Sequence, residues 1–348
     1  MQPTMKTAVV VQPNRILVQT GPVPVPGPDD VLVRVRAVGL CGSDVHYFAG
    51  KRDHESQTTY PFVLGHEFAG EVAGVGRNVS GLTIGRRVAC APDRPCGHCE
   101  WCRKGELNVC PNVRFAGSGG VMGCLSQYYL VRPEQVHVIP DSLDFAWATV
   151  AEPLAIGLHV VDNLLRPSGE ETMAVIGAGP IGLCVMFAAK RRGVGMLYAA
   201  DRFPARLDAA IRLGADATCM VPQEDFVAFV RQRTSGRGVD LSVEAAGELE
   251  TIPQAVHLAA VHGVVLIEGI PPGGEAAVDV DYARRRELTL IFGRRSLGKT
   301  EEALELLTSR SFDASAILTH RFALDEAQAA FECARDYRDG VIKPIIEP

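Results

Sequence analysis

At 348 residues the chain exceeds what one hydrophobic core usually sustains, so two domains are expected. Apolar residues at 47%, charged residues at 22% and a net charge of −6 describe an ordinary globular protein with no basic footprint for nucleic acid or an anionic membrane surface. No apolar run approaches the ~18 residues of a membrane span, and Met1 to Leu17 has no extended apolar stretch before a small-residue cleavage site, so a cytoplasmic protein acting on small molecules, with no nucleic acid or membrane partner, is expected.

The first elements read as β-structure. Thr7 to Val11 is a short apolar strand. In Val31 to Val38, alternation puts Val31, Val33, Val35 and Ala37 on one face and both arginines on the other. Between these strands, Gly21 to Pro28 carries four prolines and reads as an irregular connection.

The stretch from Cys41 to Glu67 holds Cys41-Gly42-Ser43-Asp44-Val45-His46 and Gly65-His66-Glu67. Thiolate, imidazole and carboxylate are all accepted by Zn²⁺, and a catalytic zinc needs only three protein ligands when water or substrate takes the fourth place. Taken alone, two readings stay open. Either Cys41, His66 and Glu67 hold an ion, or they are a small buried hydrophobe, a core histidine and a surface charge.

Next come Cys96-Gly97-His98-Cys99-Glu100-Trp101-Cys102 and Cys110. Four sulfurs at intervals of three, three and eight can wrap one tetrahedral ion and leave no open position, which is the pattern of a structural zinc. The alternative is a disulfide pair, which a reducing compartment disfavours. His98 is a bystander, since the cysteines already fill the shell.

From Met173 the pattern becomes an alternation of strands and helices. Met173 to Ile176 is a buried strand, followed by Gly177-Ala178-Gly179-Pro180-Ile181-Gly182 and an apolar helix to about Arg192. A second strand, Leu197 to Ala200, ends in Asp201, nineteen residues past Gly182. In that context the glycines let backbone approach a pyrophosphate, the helix N-terminus faces its charge, and the acid bonds ribose hydroxyls. Helices near Ala205–Leu213, Asp225–Gln232 and Ile252–Ala260 and strands at Val239–Ala245 and Val264–Ile267 extend a doubly wound parallel sheet. After Phe292, helices at Glu301–Thr308 and Asp325–Tyr337 and a strand at Val341–Ile346 form a tail whose domain the pattern leaves open.

With these motifs and Glu152-Pro153-Leu154, the chain resembles the zinc-dependent medium-chain dehydrogenases, and among them the sorbitol (polyol) dehydrogenase branch. The resemblance implies an α/β protein: a discontinuous, β-rich GroES-like catalytic domain and an inserted Rossmann NAD-binding domain. The implied division is 1–155, with a zinc lobe at 90–112, then 156–292, then a return at 293–348. It also implies an active site in the cleft between the domains and a homo-oligomer, tetramer or dimer.

By position, the resemblance makes Cys41, His66 and Glu67 ligands of a catalytic zinc. Glu152 stands where simple alcohol dehydrogenases have a third ligating cysteine, and in the polyol branch it tends to meet the metal through water. Ser43 and His46 have the family's spacing for a proton relay, and Tyr47 and Arg295 match substrate contacts. Gly177, Gly179, Pro180, Ile181, Gly182, Asp201 and Arg206 match nucleotide contacts, while Glu268-Gly269-Ile270 and Gly293-Arg294 align with backbone near the nicotinamide. Cys96, Cys99, Cys102 and Cys110 match the structural zinc, giving two Zn²⁺ per chain.

The chain also departs from that pattern. Ser296 falls where sorbitol dehydrogenases have a tyrosine, Leu297-Gly298-Lys299 replaces a more polar stretch, and Glu268 takes a usually apolar position. Arg202 follows Asp201 and could meet a 2′-phosphate, but Asp201 would repel it, which favours NAD over NADP. The expected activity is oxidation of a secondary alcohol of a polyol, sugar alcohol or cyclitol to a ketone. The rivals are an L-threonine 3-dehydrogenase, a secondary alcohol or diol dehydrogenase and, from another class, a zinc-ribbon nucleic-acid-binding protein.

Overall fold

The computed structural model describes residues 3–51, 59–118, 120–271 and 273–348. The chain divides into two compact units, Met1–Glu152 with Thr300–Pro348 and, between them, Pro153–Lys299.

In the first unit the described residues form a seven-stranded sheet around the strand Val31–Gly39. Val31, Val33, Val35 and Ala37 are buried as the alternation requires, and Arg34 is exposed. Leu32 and Val38 are buried too, so this strand is covered on both faces. Glu67–Val75 and Tyr128–Val131 pair with it antiparallel, as does the C-terminal strand Lys343–Glu347. That last pairing settles the tail: Ile345 lies opposite Gly39 and Ile346 opposite Val38. The helix Ala327–Arg335 returns with it and sets Phe331 against Phe48, ring centroids 5.1 Å apart, both fully buried. The strand Leu318–Ala323, not signalled by the sequence pattern, adds parallel to the C-terminal strand. Near the N-terminus, Thr4–Gln12 and Arg15–Pro22 form a hairpin, with Asn14 at φ 61° in its turn.

The second unit is a six-stranded parallel sheet in the spatial order Ala217–Met220, Met196–Asp201, Thr172–Ile176, Val239–Glu244, Ala259–Ile267, Thr289–Phe292. The first strand in sequence, Thr172–Ile176, has later strands on both sides, so strand order reverses there and a crevice opens beyond its C-terminal end. Helix Pro180–Arg191 starts from that end, with Gly179 as N-cap and Pro180 in the first turn, where a missing N–H costs nothing. Two expectations shift. The helix expected to reach Ala260 stops at Leu258, because Ala259 turns extended and pairs with Val239, so that strand begins five residues earlier than Val264. The edge strands Ala217–Met220 and Thr289–Phe292 carry too few buried residues to stand out in the sequence. Ala151–His159, which straddles the unit boundary, is helical and continues into a π-helical turn at Val160–Leu165. Among the described residues no helix is long and apolar enough to cross a membrane.

Candidate metal and cofactor sites

The mixed-ligand set is built at one end of the first unit's sheet. Strand Val31–Gly39 runs into Cys41, which caps the short helix Gly42–Phe48, and Gly65-His66-Glu67 opens the neighbouring strand. The ligand atoms of Cys41, His66 and Glu67 lie within 4.8 Å of one another. His66 and Glu67 are buried, at 5% and 1% exposure. Gly65 has φ 93°, and a Cβ there would sit 3.0 Å from Leu125 Cγ and 3.1 Å from Val38 Cγ1, so glycine alone lets the histidine turn inward.

Asp44 is the residue that sequence reasoning passed over. Its carboxylate is fully buried and accepts from the Cys41 N–H (3.1 Å) and the Gly65 N–H (3.1 Å), joining the two ligand-bearing segments. Its Oδ1 also lies 3.3 Å from His66 Nδ1, which leaves Nε2 for an ion. Burial alone would raise the Asp44 carboxyl, but His66 and the two N–H donors outweigh it and hold it below its ordinary range. His66 is the mirror case: burial would lower it, and Asp44 raises it well above the usual imidazole value. The available signal was an acid three residues after Cys41, in the position that reaches back to a helix N-cap.

Glu152 stands in the first turn of helix Ala151–His159. It lies outside the three-residue set, yet the charges of His66, Glu67, Lys343 and Asp93 all act on it. Burial, opposed by His66 and reinforced by Glu67, pushes its carboxyl up to about 7. Lys343, fully buried on the C-terminal strand, pairs with Glu67 Oε2. Burial alone would lower the Lys343 pKa, but Glu67 and Cys41 turn the shift upward. Ser43 and His46 are half-buried on the helix after Cys41. Tyr47 is buried at 4% exposure with its hydroxyl 2.8 Å from Ser118 Oγ.

The four-cysteine set is local. Cys99 caps the turn Glu100–Arg103 and accepts from the Cys102 N–H at 3.4 Å, and the Cys96 N–H reaches Cys110 Sγ at 3.4 Å. Sulfurs lie 4.0 Å apart for Cys96 and Cys102 and 3.8 Å for Cys99 and Cys110. An ion ~2.3 Å from each of four sulfurs in a tetrahedron puts neighbouring sulfurs about 3.8 Å apart, so the set fits zinc. All ten cysteines are free, which excludes the disulfide alternative. The His98 N–H pulls Cys96 down to about 6, whereas burial and the adjoining sulfurs push Cys102 up to about 12; four sulfurs this close need a cation to ionise together. His98 itself turns Nδ1 to the Cys96 carbonyl, 2.8 Å away.

In the second unit, Gly177 has φ 96°, and a side chain on Gly182 would collide with the Gly177 carbonyl, so both are required where the loop folds over the strand end. Asp201, at 6% exposure, ends the adjacent strand and accepts from the Ala178 N–H (2.8 Å) and the Phe203 N–H (3.0 Å). Arg206 Nη1 stands 3.6 Å from it. Arg202 is engaged by Glu248 at 3.1 Å. On the other side of the reversal point, the Glu268 and Gly269 N–H groups donate to the Glu244 carbonyl, and Gly293 donates to Ile267. Glu268 Oε2 lies directly over Gly293, filling the space a Cβ would take. Ile270 is half-exposed and Arg294 exposed, while Arg295 follows at φ 55°. A second missed residue is Glu244: fully buried, its Oε1 accepts from Ala246 N, Gly247 N and Thr251 Oγ1 at 2.8–2.9 Å and braces the loop beside the reversal point. Lys299 binds Asp162 at 2.6 Å, which anchors the departing segment 297–299 to the π-helical turn.

Two family models match: an alcohol dehydrogenase GroES-like domain over residues 27–141 and a zinc-binding dehydrogenase domain over residues 180–309. A sorbitol dehydrogenase of Bacillus subtilis is 35% identical over 344 residues, covering 99% of this chain and 97% of the relative. The chain belongs to the zinc-dependent medium-chain dehydrogenases, in their sorbitol dehydrogenase-like branch. An L-threonine 3-dehydrogenase of Bacillus subtilis is also similar, at 34% identity over 92% of each chain. Among solved structures, a zinc-binding dehydrogenase of Sinorhizobium meliloti 1021 bound to NADP superposes with a TM-score of 0.91 at 31% identity, covering all of both chains. As a member of this family the chain is an oxidoreductase, a zinc- and nicotinamide-dependent alcohol dehydrogenase with a GroES-like and a Rossmann-type fold.

Proposed function

We propose that this dehydrogenase oxidises a secondary alcohol of a polyol, sugar alcohol or cyclitol to a ketone, with NAD as acceptor and two Zn²⁺ per chain. The observation that carries the reading is the partly buried carboxylate of Glu152 beside the Cys41, His66 and Glu67 set. A carboxylate there gives the pocket hydrogen-bonding capacity suited to a substrate with several hydroxyls.

Cys41, His66 and Glu67 would hold one ion, and Cys96, Cys99, Cys102 and Cys110 the other. When bound, the catalytic zinc lowers the pKa of the substrate hydroxyl and the nicotinamide takes the hydride. Asp44 holds the His66 ring at Nδ1, which would leave Nε2 as the atom that takes the ion. Ser43 Oγ would accept the hydroxyl proton while releasing its own into a relay that leads towards His46 and solvent. Glu152 orients the substrate, directly or through water, with Tyr47 and Arg295 as further contacts. Gly177, Gly179, Pro180, Ile181 and Gly182 cradle the pyrophosphate, Asp201 and Arg206 hold the adenosine side, and Glu268, Gly269, Ile270, Gly293 and Arg294 line the nicotinamide end.

NAD is favoured because Asp201 ends the strand Met196–Asp201, where an acid suits ribose hydroxyls and repels a 2′-phosphate, and Arg202, the cation next to it, is already paired with Glu248. The NADP-bound relative makes this worth measuring directly. A homo-oligomer, tetramer or dimer, in the cytoplasm completes the reading. The rival is an L-threonine 3-dehydrogenase or a secondary-diol dehydrogenase, and the 34% identical relative speaks for it. A panel of polyols, cyclitols, diols and threonine with NAD and NADP, followed by NADH or NADPH absorbance, separates them. Turnover of threonine or a simple diol well above every polyol and cyclitol overturns the proposal.

A further inference from the structure

Lys343 is the buried charge that the proposed chemistry leaves over. An ammonium with no exposed surface is costly unless it is paired and hydrogen-bonded. Here its partners are Glu67 Oε2 and, at 3.3 Å, the Leu40 carbonyl. The arrangement is built by three adjacent strands. Val31–Gly39 lies between Glu67–Val75 and Lys343–Glu347, and Gly39 is opposite Glu67 on one side and Ile345 on the other. A Cβ on Gly39 would overlap Glu67 Oε2 and sit 2.9 Å from Lys343 Cε and 3.3 Å from Thr149 Oγ1. The missing side chain is the gap through which the lysine reaches across the central strand to a carboxylate of the mixed-ligand set.

We propose that Lys343 is a positioning residue that shares Glu67 with the bound zinc, keeping Oε2 as its own counter-ion so that Glu67 meets the metal as a partly neutralised, weaker donor. The inference rests on the metal reading of Cys41, His66 and Glu67. It has two consequences. Without an ion, Glu67 is not left as a bare buried charge, so the fold does not depend on metal at this site. With an ion, the ligand set supplies less negative charge, and more of the ion's pull remains for the substrate hydroxyl.

A lysine that only braces the C-terminal strand predicts something else: its loss weakens the zinc-loaded and the zinc-stripped protein alike. The test uses the full-length protein with Lys343→Met and with Lys343→Gln, which keeps a hydrogen-bond donor if the methionine variant folds poorly. Zinc is withdrawn by a competing chelator, and the relevant ion is the one whose binding disappears in Cys41→Ser. The expected result is a zinc dissociation constant about tenfold tighter or better, the size expected for removing a unit charge beside a buried ligand. A larger zinc-induced rise in melting temperature than in the wild type should accompany it. An unchanged or weaker dissociation constant, with equal losses of melting temperature in both states, overturns the proposal. A wild-type protein holding no ion sensitive to Cys41→Ser overturns the metal reading itself, and the proposal with it.

Discussion

The two sets of metal-compatible side chains are assembled in opposite ways. The sulfurs of Cys96, Cys99, Cys102 and Cys110 come from one short segment, and backbone N–H groups within that segment orient them. Cys41, His66 and Glu67 come from two segments joined by Asp44, and the C-terminal strand supplies Lys343 from the far end of the chain. The first set has four like ligands that saturate a tetrahedral ion. The second has three unlike ligands, a half-buried serine and histidine on the helix that follows Cys41, and the Glu152 carboxyl within reach of the charges of His66 and Glu67. Local, saturated sets give stability, whereas sets drawn from distant segments leave room for chemistry.

The sharpest way to break that contrast is to remove one ligand from each set. Cys41→Ser or His66→Ala is expected to lower kcat by about 10³-fold or more, the loss of roughly 4 kcal/mol of transition-state stabilisation. NADH binding, followed by fluorescence, stays intact because its residues belong to the other unit. Cys102→Ser should do the reverse. Metal content falls from two zinc per chain to one, thermal stability drops by several kcal/mol, and kcat of the protein that stays folded remains within about threefold. If both replacements abolish turnover equally in well-folded protein, the division into a chemical and a structural ion is wrong. Asp44→Asn removes the buried charge behind His66 and nothing that touches substrate. It is expected to weaken zinc binding at the Cys41 set by 10–100-fold, read by chelator competition, with the four-cysteine ion unaffected.

How much of this the sequence disclosed follows the same contrast. The four-cysteine lobe is legible because its spacing is its geometry. The glycine loop is legible because Gly177 and Gly182 are demanded by backbone approach within six residues, and Asp201 because it ends the next strand. Cys41 and Glu67 looked equally like core and metal site until the other motifs stood beside them. Asp44, Glu244 and Lys343 were not legible, since an acid in a helix's first turn, an acid closing a buried strand and a lysine near the C-terminus are ordinary features in sequence. Only the pairing of Ile345 with Gly39, and of Gly39 with Glu67, reveals that Lys343 belongs to the site. The edge strands and the early end of helix Thr251–Leu258 were missed for a related reason: pairing with a neighbour overrides a weak local pattern.

The smallest expected effect separates the two sets by pH. Glu152 has its carboxyl pushed up to about 7 by burial, so between its ordinary value of 4.5 and 7 the folded protein keeps a proton that the unfolded chain releases. The native state then binds more protons than the unfolded one, and stability must fall as pH rises through that window, by ~1.4 kcal/mol per pH unit for a single group. Below the window both states are protonated, and above it both are ionised, so the slope from this group disappears. Glu152→Gln, neutral at every pH, removes that contribution. Urea unfolding of chelator-treated protein at pH 5.5 and 6.5 should therefore show the wild type losing about 1.4 kcal/mol more than the variant over that interval. Equal losses would mean that the Glu152 carboxyl is ionised well below pH 5.5 and meets substrate or metal as a permanent anion. Zinc restored to the Cys41 set should shrink the difference, because a cation nearby favours the ionised carboxylate, while an ion confined to the four-cysteine lobe should leave it unchanged.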